Sequence, residues 1–142
     1  MRLALSLVGL GLAGVVMSAC ATAPPPPSSG GGGGALVGPE WRLEDLLGGG
    51  IIDRSHVTLT LAKDGSAAGA GGCNRYFGSW TQAGDKLTFG KLGSTMMACA
   101  PSLMQQEEKY LKALETASGY SFTADGALVI ATSDGSLKFR KD

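Results

Sequence analysis

Gly69-Ala70-Gly71-Gly72-Cys73-Asn74-Arg75-Tyr76, answered further along the chain by Ser94-Thr95-Met96-Met97-Ala98-Cys99, is the pair of segments whose reading decides the fold. Glycines ahead of Cys73 permit a close backbone approach or a positive φ, which a β-bulge or a tight barrel corner needs and other residues resist. A special backbone feature is expected there. Asn74 and Arg75 add an amide and a guanidinium fork at the same place, enough for a hydrogen-bonded structural node or for a small polar site. Residue types alone leave both open.

Outward from this stretch, turn signals recur at Gly48-Gly49-Gly50, Asp64-Gly65, Gly84-Asp85, Asp125-Gly126 and Asp134-Gly135. That is the punctuation of short antiparallel strands. Between the turns Val57, Leu59 and Leu61 alternate with Thr58 and Thr60, Leu87 and Phe89 with Lys86 and Thr88, and Leu137 and Phe139 with Lys138 and Arg140. Period two means strands with one wet face. Tyr120-Ser121-Phe122-Thr123 and Leu128-Val129-Ile130 flank Asp125-Gly126 as a hairpin, and so many short strands in a small domain close into a sandwich or barrel.

One helix interrupts the strands, expected over residues 101–117. Pro101 suits a first helical turn, Gly119 stops the helix, and Leu103, Glu107, Tyr110, Leu114 and Ala117 fall at three- and four-residue spacings, joined by Met104 and Leu111. Glu108 and Lys112 form an i,i+4 pair in the favourable order. Glu107 is the exception on this apolar stripe. A carboxylate there needs a partner, and Arg75 or a backbone amide is the expected one.

The N-terminus has a different character. Arg2 precedes a short apolar run from Leu3 to Met17 that ends in small residues, the pattern of a secretory signal and too short for the roughly 20 residues of a membrane span. Its end, Met17-Ser18-Ala19-Cys20, resembles the lipobox of bacterial lipoproteins, with Met in place of the usual Leu. Residues 1–19 are then a lipoprotein signal peptide and Cys20 the lipidated N-terminus. Cleavage after Ala21-Thr22-Ala23, giving a soluble secreted protein, is the alternative. Residues 20–39 carry four consecutive prolines, two serines and a glycine run, a tether with a maximum reach on the order of 60 Å at about 3.3 Å per residue. Residues 40–142 leave room for one domain. Lys+Arg 12 against Asp+Glu 12 shows no basic surplus and argues against a nucleic-acid partner.

Trp41-Arg42-Leu43, Gly72-Cys73-Asn74-Arg75-Tyr76, Thr95-Met96-Met97-Ala98-Cys99, Gln106-Glu107 with Tyr110-Leu111, and Gly135 to Phe139 together resemble the META (HslJ-like) domain family. The Gly-Cys-Asn motif paired with Thr-x-x-Ala-Cys just before a helix is the specific part. The resemblance implies a mainly β fold, a small calycin-like antiparallel β-barrel with one helix packed against it. It also implies bacterial cell-envelope lipoproteins linked to heat shock, the stress response and antibiotic tolerance, with no established catalytic residues or cofactor.

Cys20 is lipidated or removed, which leaves Cys73 and Cys99 as a lone pair in an oxidising compartment. A disulfide is the plain reading, with two free buried thiols or a redox-active pair as alternatives; the spacing is far from Cys-x-x-Cys. The one histidine, His56, stands at the start of a strand and gives thin support for a Cys-His catalytic pair. Met96, Met97, Met104 and Cys99 make a soft-ligand cluster that could hold Cu(I), but methionines around a helix start are expected as core filler. No metal and no cofactor are expected, and no enzyme activity. Tyr76 and Trp80 fall on one face of a strand with Gly78 between them, so they are the candidate contacts for a small apolar ligand if that gap is open. Two functions are expected from these residues. The first is a non-enzymatic, monomeric envelope module, lipid-anchored to the outer membrane on its periplasmic face and binding an envelope protein, peptide or cell-wall component. The second is a carrier or sequestering barrel for a small hydrophobic ligand. They differ in whether the barrel interior is filled.

Overall fold

The computed structural model describes residues 35–142. The expected signal peptide, Cys20 and the tether as far as residue 34 lie outside the described residues. Within them the elements run β1 (Glu40–Leu46), β2 (Thr58–Leu61), β3 (Ser66–Ala70), β4 (Arg75–Ala83), β5 (Lys86–Phe89), β6 (Gly93–Ser94), α1 (Pro101–Glu115), β7 (Gly119–Phe122), β8 (Leu128–Thr132) and β9 (Gly135–Lys141). Every pairing is antiparallel, in the order β5-β4-β3-β2-β1-β9-β8-β7, with β6 added to β4. The two end strands then approach each other. Tyr120 N donates to Asp85 O at 3.0 Å and Leu87 N to Ser118 O at 3.4 Å, so the sheet closes almost completely into a barrel, and few free edge groups remain.

The alternation read from the sequence decides which face is inside. Leu59, Leu61, Leu87, Leu128, Ile130, Leu137 and Phe139 are fully buried, and their polar neighbours look outward. β1 obeys the same rule after one interruption. Trp41, Leu43 and Leu46 are all buried although the last step is three residues, because the register with β9 slips between Leu43 and Asp45. Asp45 is turned out by that slip and its carboxylate accepts from Gly48 N at 2.7 Å and Gly50 N at 2.9 Å, fixing the glycine turn.

The helix closes one mouth of the barrel. It runs over Pro101–Glu115, two residues short of the expected end, because Thr116 and Ala117 already turn back onto Ala113 and Leu114. Tyr110 and Leu114 are wholly buried, and the Tyr110 ring lies 5.6 Å from Tyr76 and 6.3 Å from Phe139, centroid to centroid and edge-on in both cases. Burying side chains of this size contributes roughly 1.5–3 kcal/mol each. The Tyr76 hydroxyl donates to Thr58 O at 2.6 Å and stands 2.8 Å from the Tyr110 hydroxyl. Its single proton being used on Thr58, it accepts the proton of Tyr110.

One boundary and one face differ from the sequence reading. Leu36 is buried and its carbonyl accepts from Trp41 Nε1 at 3.1 Å, while Gly38 N donates to Leu61 O. The packed domain therefore begins at least four residues before the expected position 40, and the tether is shorter by that much. The helix stripe is also rotated slightly. Gln106 is buried and Met104 is 45% exposed, so the inner face runs through Gln106, Glu107, Tyr110, Ala113 and Leu114.

Candidate functional site

The loop between β3 and β4 holds Gly71, Gly72, Cys73 and Asn74, and it meets the first turns of the helix. Glu107 Oε2 accepts from Cys73 N at 3.0 Å and from Asn74 N at 2.5 Å, and Oε1 accepts from Asn74 Nδ2 at 2.7 Å. Glu107 is 7% exposed, and these bonds to an ionised acceptor replace the water it loses. Gly71 is required by this arrangement. A Cβ on it would stand 2.6 Å from Glu107 Oε2 and 2.8 Å from Glu107 Cγ. Gly72 supplies the turn with a φ of +106°, which is the backbone feature that the glycines signalled.

Asn74 passes the link onward. Its Oδ1 accepts from Met97 N at 2.6 Å and from Thr95 Oγ1 at 3.1 Å, and its second amide N–H reaches Met97 O at 3.4 Å. All of the amide's hydrogen-bonding capacity is thus spent on Glu107 and on the segment leading into the helix. The Cys73–Cys99 disulfide, with Cα atoms 6.0 Å apart, ties the same two segments covalently. The neighbouring helix residue does a parallel job that the sequence reading missed. Gln106 Oε1 accepts from Ile52 N at 2.7 Å and its Nε2 donates to Ser55 Oγ at 3.0 Å, so two consecutive residues clamp two separate loops. The signal was available, since Gln106 lies at the same three- and four-residue spacing from Leu103 and Tyr110.

Arg75 is not part of the node. Tyr76 faces the core, so strand alternation sends Arg75 to the opposite face, where its side chain is exposed and lines a cleft of about 420 Å³ with Glu40 and His56. Of the two expected partners of Glu107, the backbone amides are the actual ones, and Asn74 joins them. Tyr76 and Trp80 do share a face, but Tyr76 is sealed in the core and Trp80 Nε1 donates to Ala62 O at 3.0 Å. The space left by Gly78 is occupied, because a Cβ there would meet Leu92 Cδ2 at 2.6 Å.

The methionines depart most from expectation. Met96 is 94% exposed and Met97 61%, and with Met104 they line a groove of about 710 Å³ whose walls include Asn74, Pro101, Glu108 and Leu111. They are not core filler. The loop that carries them cannot collapse inward, because Asn74 and the disulfide hold its backbone.

Two groups of titrating side chains stand out, both away from the groove. Burial raises the Tyr76 phenol well above its ordinary range, partly offset by its bond to Tyr110. Burial, then the neighbouring Tyr76, raises Tyr110 as well. On the wet face, the hydroxyl of Thr123 and then the Arg140 guanidinium lower Asp125 to about 2, with Arg140 Nη2 2.7 Å from its carboxylate and Arg140 Nε 2.9 Å from Glu44. Among the described residues no group of three or more His, Cys, Asp or Glu is placed to hold a metal ion.

The META domain family matches residues 34–142. Among solved structures, an NMR structure of a protein from Burkholderia xenovorans is 32% identical, covering 75% of this chain and 83% of that one, with a TM-score of 0.60. A second NMR structure is 25% identical over 72% of this chain and 87% of the other, with a TM-score of 0.59. No curated protein matches the chain.

Proposed function

Because the chain belongs to the META domain family, we propose that it is a non-enzymatic, lipid-anchored module of the bacterial cell envelope that works through the outer surface of its barrel. The observation that carries this reading is the contrast in filling. Trp41, Tyr76, Tyr110, Leu114 and Phe139 are at most 1% exposed inside the barrel, and Leu92 takes the room beside Gly78. The groove at the helix start stands open beside them with three exposed methionines, and large exposed apolar side chains on a fixed frame are how binding surfaces are built. The filled interior weighs against a carrier of small hydrophobic molecules. The polar groups that converge at the helix support a non-catalytic role, since Glu107 and Asn74 are spent on holding backbone.

The apolar run, Ser18-Ala19-Cys20 and the proline- and glycine-rich segment after it support anchoring at Cys20, and Ala21 after the cysteine resembles the outer-membrane sorting pattern. Stress or antibiotic tolerance is the physiological setting that the family implies. A pull-down from detergent-solubilised envelopes tests the reading. The wild-type chain is expected to retain envelope components that Met97→Asp in the groove releases, while Cys20→Ala moves the protein out of the membrane fraction. Retention of a small apolar molecule by both the wild-type and Met97→Asp chains, with no envelope component, would overturn it in favour of the carrier.

A further inference from the structure

We propose that Met96, Met97 and Met104 form a thioether site for a soft monovalent cation, Cu(I) or Ag(I). Of the chain's five methionines, Met1 and Met17 lie in the expected signal peptide. All three of the others line one groove. Their exposures of 94%, 61% and 45% remove the ordinary reason for methionine in a small domain, which is to fill irregular space in a core.

The frame under them is stiff. Asn74 holds Met97 by both its N–H and its C=O, and Asn74 Oδ1 also accepts from Thr95 Oγ1 one residue before Met96. The disulfide fixes the loop at Cys99, and Met104 follows in the first turn of a helix that starts at Pro101. A metal site needs its donors carried on a fixed frame, and here a covalent bond and a saturated amide hold the backbone on either side of the methionine pair.

The donor set selects the ion. Thioether sulfur is neutral, soft and a poor match for Mg²⁺, Ca²⁺ or Zn²⁺, whereas it suits Cu(I) and its redox-inert analogue Ag(I). With Cys73 and Cys99 joined to each other, the thioethers are the sulfur donors of this groove that bind without prior reduction. The inference uses the same groove as the proposed binding surface but needs neither the anchor nor an envelope partner.

Silver(I) is the probe, added in chloride-free buffer without reductant to the chain carrying Cys20→Ser, so that no thiol competes; intact-mass analysis checks that none is alkylatable. The expected result is one bound equivalent, with the methyl resonances of Met96, Met97 and Met104 shifting together, and withdrawal of Cu(I) from a chromophoric chelator by the same chain. Replacing each of the three by Leu should weaken binding about tenfold and replacing all three should abolish it, with the melting midpoint unmoved because these side chains are exposed. Binding that survives the triple replacement, or none in the starting chain, overturns the site. So does an apolar peptide that shifts the three methyl resonances where silver does not, since the groove is then a hydrophobic docking surface. Loss of every envelope component in the pull-down would sink the surface-module reading and leave silver binding intact, so the two failures are distinguishable.

Discussion

Inside the barrel, Trp41, Tyr76, Tyr110 and Phe139 are closed off from water, with Tyr110 meeting Tyr76 and Phe139 through ring edges; at the helix start, Met96 and Met97 stand in solvent over a carboxylate, an amide and a disulfide. The same helix belongs to both regions. Its inner face is held by apolar packing, which is strong but carries little direction. Its N-terminal turns are held by directional bonds, which fix position at the level of single atoms. A surface groove can keep its shape without a core of its own because the second kind of restraint supplies it.

The largest expected effect attacks the interior. Tyr110→Ala removes the side chain that fills the barrel mouth and takes away the hydroxyl that donates to Tyr76, so stability should fall by about 3–5 kcal/mol in denaturant unfolding. Next comes the covalent tie. Reducing Cys73–Cys99, whose separation is 26 residues, should cost about 3.5 kcal/mol in the chain-entropy model and free the methionine loop while the strands persist; equal hydrogen-exchange protection of residues 95–100 before and after reduction would remove the disulfide from the frame. Glu107→Gln is smaller, about 1–3 kcal/mol, because an amide keeps one acceptor oxygen but loses the charge that three donors share. If that variant melts as the wild type does, the polar frame is dispensable and the contrast between the regions collapses.

The last two predictions are read by pH. Both buried phenols hold their protons above the ordinary value of 10.0, so as pH rises past 10 the unfolded chain releases protons that the folded one keeps. Stability should be level below that point and fall beyond it, and Tyr110→Phe should flatten the decline. Asp125 has the opposite sense and a smaller weight, being exposed on the surface. Its carboxylate is lowered from 3.8 to about 2 by Thr123 and Arg140, so its contribution is present above pH 3.8 and disappears as pH falls toward 2; carboxyl NMR titration of Arg140→Gln should return it toward 3.8.

Much of this architecture was legible because it rests on local periodicity. Leu87 and Phe89, or Leu137 and Phe139, declare an inner face by themselves, the Asp-Gly and Gly-Asp pairs declare the turns, and the two cysteines left after Cys20 point to a bridge. What was misread depended on direction or on distant sequence. Arg75 was a reasonable partner for Glu107 by charge, yet the inward Tyr76 already assigned it to the other face. Gly78 signalled a gap, but Leu92, arriving from another segment, fills it. The methionines looked like core filler because they flank a helix start and Met104 joined the expected stripe; Gln106 holds the inward position instead, at a spacing from Leu103 and Tyr110 that was visible but overlooked because the residue is polar.

One further feature governs how the domain meets force. Asp142 N donates to Glu40 O at 3.1 Å, and β1 lies between β2 and β9. A pull arriving from residue 35 therefore first meets Leu36 in the core and the Trp41 indole that holds its carbonyl. Beyond them it runs along a strand flanked on both sides, loading both ladders in shear rather than opening them one bond at a time. The N-terminal end of the domain is mechanically the stiff one, and the β5–β7 seam, where the barrel is least completely closed, carries none of that tension directly.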